Sequence, residues 1–191
     1  MSLIPLGFWA ASGGGGGASS FDLLETQTLA SSAASVTFTG LGSYSDYKHL
    51  QIRWIAKSSK TSDLAASDLT LNGDTGSSYA NHDLLARPTS SFISSSDPIP
   101  STRIARSNIA GSTSSDDFSS GVYEILDFSS TDKNTTLRGL DGSVAVGSGG
   151  ANRFFFRSGL YNSTSAITSI TFTNDGDNYI AGSRFSLIGI K

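Results

Sequence analysis

Cysteine is absent from this 191-residue chain. Disulfides, thiolate zinc sites, iron–sulfur clusters and a cysteine nucleophile are thereby excluded together. Charge is scarce as well: 13 Lys+Arg and 16 Asp+Glu make up 15% of residues, against about 25% in an ordinary soluble domain. The net charge of −3 and a pI near 5.2 leave no basic footprint for a phosphate backbone, so no nucleic-acid partner is expected. Long apolar runs are missing too. The longest, Leu3 to Ala11, falls well short of the roughly 20 residues of a membrane-spanning helix, and no membrane partner is expected. No Lys or Arg precedes that run, and Pro5 and Gly7 interrupt it. It therefore lacks the positive start of a signal peptide and reads as retained.

Hydroxyls and glycine fill the space that charge leaves. The chain holds 37 Ser, 17 Thr and 21 Gly. Such a surface suits close packing against other protein, or hydrogen bonding to sugars.

Residues 1–20 differ from the rest. Leu3, Ile4, Leu6, Phe8 and Trp9 precede an uninterrupted glycine run, Gly13 to Gly17. A Gly-rich tract behaves as a flexible coil, and exposed large apolar groups usually mark an interaction site. The segment reads as an arm that docks on a neighbouring subunit. The plainer alternative folds Phe8 and Trp9 back onto the chain's own core.

From Phe21 onward the pattern is of short strands between turn clusters, within a second unit, residues 21–191. Ser35 to Thr39 alternates. Leu50-Gln51-Ile52-Arg53-Trp54 places Leu50, Ile52 and Trp54 on one face. Further candidates are 68–71, 79–84, 103–109, 122–128, 136–140, 153–161, 167–173 and 184–190. Asn72 to Gly76, Asp141-Gly142 and Asn174 to Asp177 carry turn chemistry. Leu64-Ala65-Ala66 has the makings of a helical turn. Pro88 to Pro100, with three prolines and many serines, reads as a long loop. About ten strands without a convincing helix predict an all-β chain: a single antiparallel β-sandwich, jelly-roll-like, with an extended N-terminal arm.

Catalytic motifs are sparse. Neither a G-x-S-x-G elbow nor a phosphate loop occurs. Asp74-Thr75-Gly76 matches the aspartic-protease triplet, but that chemistry needs two carboxylates sharing a proton. A polar hairpin turn after Asn72-Gly73 is the simpler account. His49 and His82 are far apart in sequence. A His82, Asp83 and serine set carries little information where serine is so common. Asn174 with Asp175-Gly176-Asp177 is an incomplete Ca²⁺ pattern. Glu124 and Asp127, three apart on one strand, point to opposite faces rather than forming a carboxylate pair. No cofactor and no enzymatic activity are expected.

Phe154-Phe155-Phe156, flanked by Arg153 and Arg157, must place alternate rings on opposite faces of a strand. It is a candidate subunit interface, or a strand buried on both sides. Tyr44, Tyr47, Tyr79, Tyr161 and Tyr179 fall near predicted loops, where a sugar platform would put them.

Several segments together resemble virion structural proteins of tailed bacteriophages, especially aquatic ones. They are Tyr47 to Arg53, Leu71 to Tyr79, Glu124 to Phe128 followed by Lys133 to Thr136, Ser158 to Asn162, and Ile180 to Ile190. The resemblance covers nearly the whole chain, arm included, and brings no catalytic residues with it. It implies a particle component, assembled in the host cytoplasm and located in the virion. The leading expectation is a capsid decoration (cement) protein, a homotrimer whose arms lie across the major capsid protein. The alternative is a tail-fibre or tail-tip subunit attached to tail proteins and touching host glycans.

Overall fold

The computed structural model describes residues 20–87, 90–113, 117–144 and 152–191. The five arm residues Leu3, Ile4, Leu6, Phe8 and Trp9 lie outside them. Among the described residues are twelve strands: β1 Phe21–Thr28, β2 Ser35–Thr39, β3 His49–Ala56, β4 Leu64–Leu71, β5 Tyr79–Arg87, β6 Ser90–Ser101, β7 Ala105–Ala110, β8 Ser119–Leu126, β9 Thr135–Ser143, β10 Arg153–Tyr161, β11 Ser169–Asn174 and β12 Arg184–Ile190. A single 3-10 turn, Leu41–Tyr44, links β2 to β3.

Period-two alternation explains these assignments. In β4, Ala65, Ser67, Leu69 and Leu71 turn inward, and in β9 every second residue from Thr135 to Ser143 is buried. One such face must be covered by another layer. The strands form an eight-stranded sheet, ordered β1-β12-β3-β8-β9-β10-β5-β6, and a four-stranded sheet, ordered β2-β11-β4-β7. Every pairing between strands is antiparallel.

The chain crosses between sheets again and again. β2, β4, β7 and β11 belong to the small sheet, and the segments between them return to the large one. That wrapping is jelly-roll-like: β1-β12-β3-β8 and β2-β11-β4-β7 make its two four-stranded orders, and β9, β10, β5 and β6 extend the large sheet. Between the layers lie Phe38, Leu50, Ile52, Trp54, Leu69, Tyr123, Phe172, Phe185 and Leu187, all essentially inaccessible. Phe172 and Tyr179 both pack on Phe185, with centroids 5.0 and 5.2 Å apart.

Three local expectations are overturned. Leu64-Ala65-Ala66 is strand, because pairing with Ala110, Ile109 and Asn108 outweighs alanine's helical preference. The Pro88–Pro100 segment is mostly the edge strand β6. Pro98 and Pro100 fall in a register break between the Asn81–Asp97 and Tyr79–Ser101 pairs, where no ladder N–H is needed. Asp141-Gly142 is no turn but the interior of β9. Its carboxylate is held by partners in the core, described below. β1 is a strand that no candidate range anticipated.

Candidate functional site

The outer face of the large sheet carries the most unusual surface. In β10, Phe155 turns inward (5% exposed), while Phe154 and Phe156 turn outward, 51% and 53% exposed. Only two of the three rings are thus exposed where an interface was expected. Phe155 packs in the core region, with the Arg157 guanidinium 3.9 Å above its ring. Register places Phe156 between Leu140 of β9 and Leu84 of β5. Leu140 in turn sits beside Val122 of β8. Leu84, Leu140, Phe154 and Phe156 are all substantially exposed, and Phe92 at the β6 edge reaches 73%. The pairs run side by side, so the patch is continuous.

Next to it, the same face forms a groove of about 880 Å³ running from β1 to β10. Leu23, Ile55, Val122, Leu140 and Phe154 supply its apolar floor, and Arg53, Arg153 and Arg184 line it. The Arg53 Nε donates to Gln51 at 2.7 Å. Arg153 is partly buried, which pushes its pKa down, helped by the neighbouring charge of Arg87. Its side chain shares the inward face of β10 with Phe155 and Arg157, and its Nη1 donates to Asn108 of β7 at 3.4 Å. Further along, Glu124 accepts from Arg138 at 2.5 Å and from Gln51 at 3.0 Å. Burial raises the Glu124 pKa, but these two hydrogen bonds outweigh it and hold the group below its ordinary value.

Between the sheets lies a charged network that no motif announced. Arg157, only 1% exposed, binds Asp141 through Nε and Asp83 through Nη1. The Tyr123 hydroxyl donates to Asp141 Oδ1 at 2.8 Å and is also paired with Ser107. Burial pushes both carboxylates up, more than their shared arginine pulls them down. Two acids face one guanidinium. The alternation of β9 and β10 was the available signal, because it turns Asp141 and Arg157 inward on adjacent strands.

The other candidates resolve into structural roles. Asp74 Oδ1 accepts from the Gly76 N–H at 2.7 Å, and Asn72 and Gly73 have φ of 55° and 66°. The turn is tight and polar. It leads from β4 to β5 in different sheets, so it is not the hairpin anticipated. Likewise the turn at Asn174 to Asp177 joins β11 to β12 across the two sheets. There Asp175 is paired with Arg106 at 3.0 Å. Among the described residues, no three His, Asp or Glu side chains gather as metal ligands.

His82 Nε2 lies 2.9 Å from Ser94 Oγ across the β5–β6 pair. Asp83, facing inward to Arg157, cannot orient that imidazole. His49 Nδ1 accepts from the Asp127 N–H at 2.9 Å. Asp127, past the end of β8 with φ of 49°, is held low by its hydrogen bond to Lys133. Glu124 and Asp127 are therefore each committed to separate ion pairs. Of the five tyrosines near predicted loops, Tyr79, Tyr161 and Tyr179 are core residues, with Tyr79 stacked on Tyr161 at 4.8 Å, and Tyr44 and Tyr47 are partly buried against the core.

No family model, curated protein or solved structure matches this chain.

Proposed function

We propose that this chain is a non-enzymatic structural subunit of a tailed-phage particle, a capsid decoration (cement) protein. The observation that carries the reading is the continuous outer-face patch of Leu84, Leu140, Phe154 and Phe156 on a chain poor in charge. Monomeric proteins rarely leave such patches uncovered. The jelly roll supports it, as a fold common in viral capsid proteins, and so does the resemblance of the sequence to virion proteins. Fold alone does not assign the role, since lectin domains and cupins share it.

In this reading the patch meets neighbouring copies, as a trimer, and the N-terminal arm lies across the major capsid protein. Each large apolar side chain buried contributes roughly 1.5–3 kcal/mol. Each arm residue ordered costs roughly 1–2 kcal/mol. For Leu3, Ile4, Leu6, Phe8 and Trp9 the two terms are of similar size, so the arm adds stability only where its glycine tether stays unfixed.

Quantitative mass spectrometry of purified particles is the test. A copy number of the same order as the coat protein is expected. A few per cent would move the chain to the tail, and absence would end the proposal. Phe156→Ser is expected to weaken binding to empty shells at least tenfold without unfolding the domain, because the ring is half exposed.

A further inference from the structure

The groove beside the patch has a candidate occupant within the same polypeptide. Its floor is apolar and its walls cationic. Its carboxylate, Asp141, is already bound by Arg157. An occupant must bring large apolar side chains and offer the arginines something other than water. Residues 1–19 precede β1, which forms one wall through Leu23. They have no charged side chain, and they include Leu3, Ile4, Leu6, Phe8 and Trp9.

Aromatic faces suit these walls. A guanidinium stacked on Trp or Phe gains cation–π attraction, which needs no counter-charge in the groove. Arg53 and Arg184, both turned outward, are placed to use it.

The geometry also fits. Ten residues, 10–19, separate Trp9 from Ser20. A flexible chain of ten residues spans about 17 Å on average. From β1 to β9 is four strand spacings in the sheet order, about 19 Å. A tether of matched length holds its ligand at an effective concentration of order millimolar. A second copy of the chain competes poorly at micromolar concentrations.

We infer that in the free subunit residues 3–9 seat in the outer-face groove of their own chain, with Phe8 and Trp9 against Arg53 and Arg184. This contact concerns the unassembled protein and stands independently of the particle role. A coat subunit that takes up the arm would vacate the groove.

Fluorine NMR of the full chain labelled with 5-fluorotryptophan reads this directly, since the protein has only two tryptophans. Trp9→Phe assigns the signals. The Trp9 resonance is expected to differ from that of an isolated peptide of residues 1–12, and to stay unchanged on dilution. It should move to the peptide position in Leu140→Glu. It should do the same in Val144→Glu, whose site at the groove's end is 67% exposed and tolerant of charge. A melting temperature and circular dichroism spectrum equal to those of the native chain certify the fold in each variant. Three results would overturn the inference: a Trp9 signal at the peptide position in the native chain, a shift that disappears on dilution, or indifference to both groove variants. The second would place the arm in another copy.

Discussion

At the residue scale, the buried charges control how stability responds to acid. Asp83 and Asp141 share Arg157, and Asp83 Oδ1 has no hydrogen-bond partner. Burial raises both acids above their ordinary value of 3.8. A raised acid keeps its proton in the folded state at pH values where the unfolded chain has lost it. Its contribution to stability is therefore full below the ordinary value and declines as pH rises through the folded one. Asp74 and Asp127 are lowered, so their contributions are present above the ordinary value and are lost as pH falls through their folded values. The two effects occupy different windows. Asp83→Asn is expected to flatten the fall in Tm on raising pH from about 4 towards neutrality, leaving the acid limb unchanged. Melting curves of both proteins across that range decide it. Parallel profiles would show that Asp83 is not the titrating group.

At the element scale, β8, β9 and β10 fit together because glycines face bulky neighbours. Trp54 lies over Gly121, Tyr123 over Gly139 and Ile104 against Gly159. Tyr123 must cross Gly139 to reach Asp141 and Ser107. A β-carbon at Gly139 would overlap the Tyr123 ring, and overpacking of this kind costs roughly 1–3 kcal/mol. Gly139→Ala is accordingly expected to lower unfolding free energy by about 2 kcal/mol in a denaturant titration. Gly42→Ala, with nothing within 4 Å, serves as the neutral control. Equal effects at the two sites would refute the packing argument. The edge strand β6 has the opposite character: its residues 92–100 are exposed throughout. An exposed edge of this kind is a template for pairing with another chain. Phe92→Lys is expected to reduce self-association in sedimentation experiments while changing stability by less than about 0.5 kcal/mol. An unaltered sedimentation profile would exclude β6 from any contact between copies.

For the whole molecule, topology sets the folding cost. β1 pairs with β12 and β2 with β11, so the first strands wait for the last. Loops of this length must close before their contacts are rewarded. Refolding from denaturant, followed by fluorescence of the buried Trp54, is expected on a timescale of order a second. Completion within microseconds would contradict the sheet order. The same topology explains how one chain presents a broad, uninterrupted outer face. Eight strands lie in one sheet, and the small sheet covers only its inner side.

The local pattern alone determined the all-β class. It also determined the bounds of β10 and β12 and the outward turn of alternate phenylalanines, because side-chain alternation is a property of each strand by itself. It misread three segments, each for a long-range reason. Leu64 to Ala66 became strand through β7, Asp141-Gly142 was held inside by Arg157, and the proline-bearing β6 was tolerated because it lies at an edge. The apolar patch and the groove had no sequence signature. Val122, Leu140, Phe156 and Leu84 are separated by up to 72 residues and meet only through the register of four strands. Tertiary structure decided which apolar residues the second layer covers and which stay exposed, since burial depends on what packs opposite a strand and not on the strand itself.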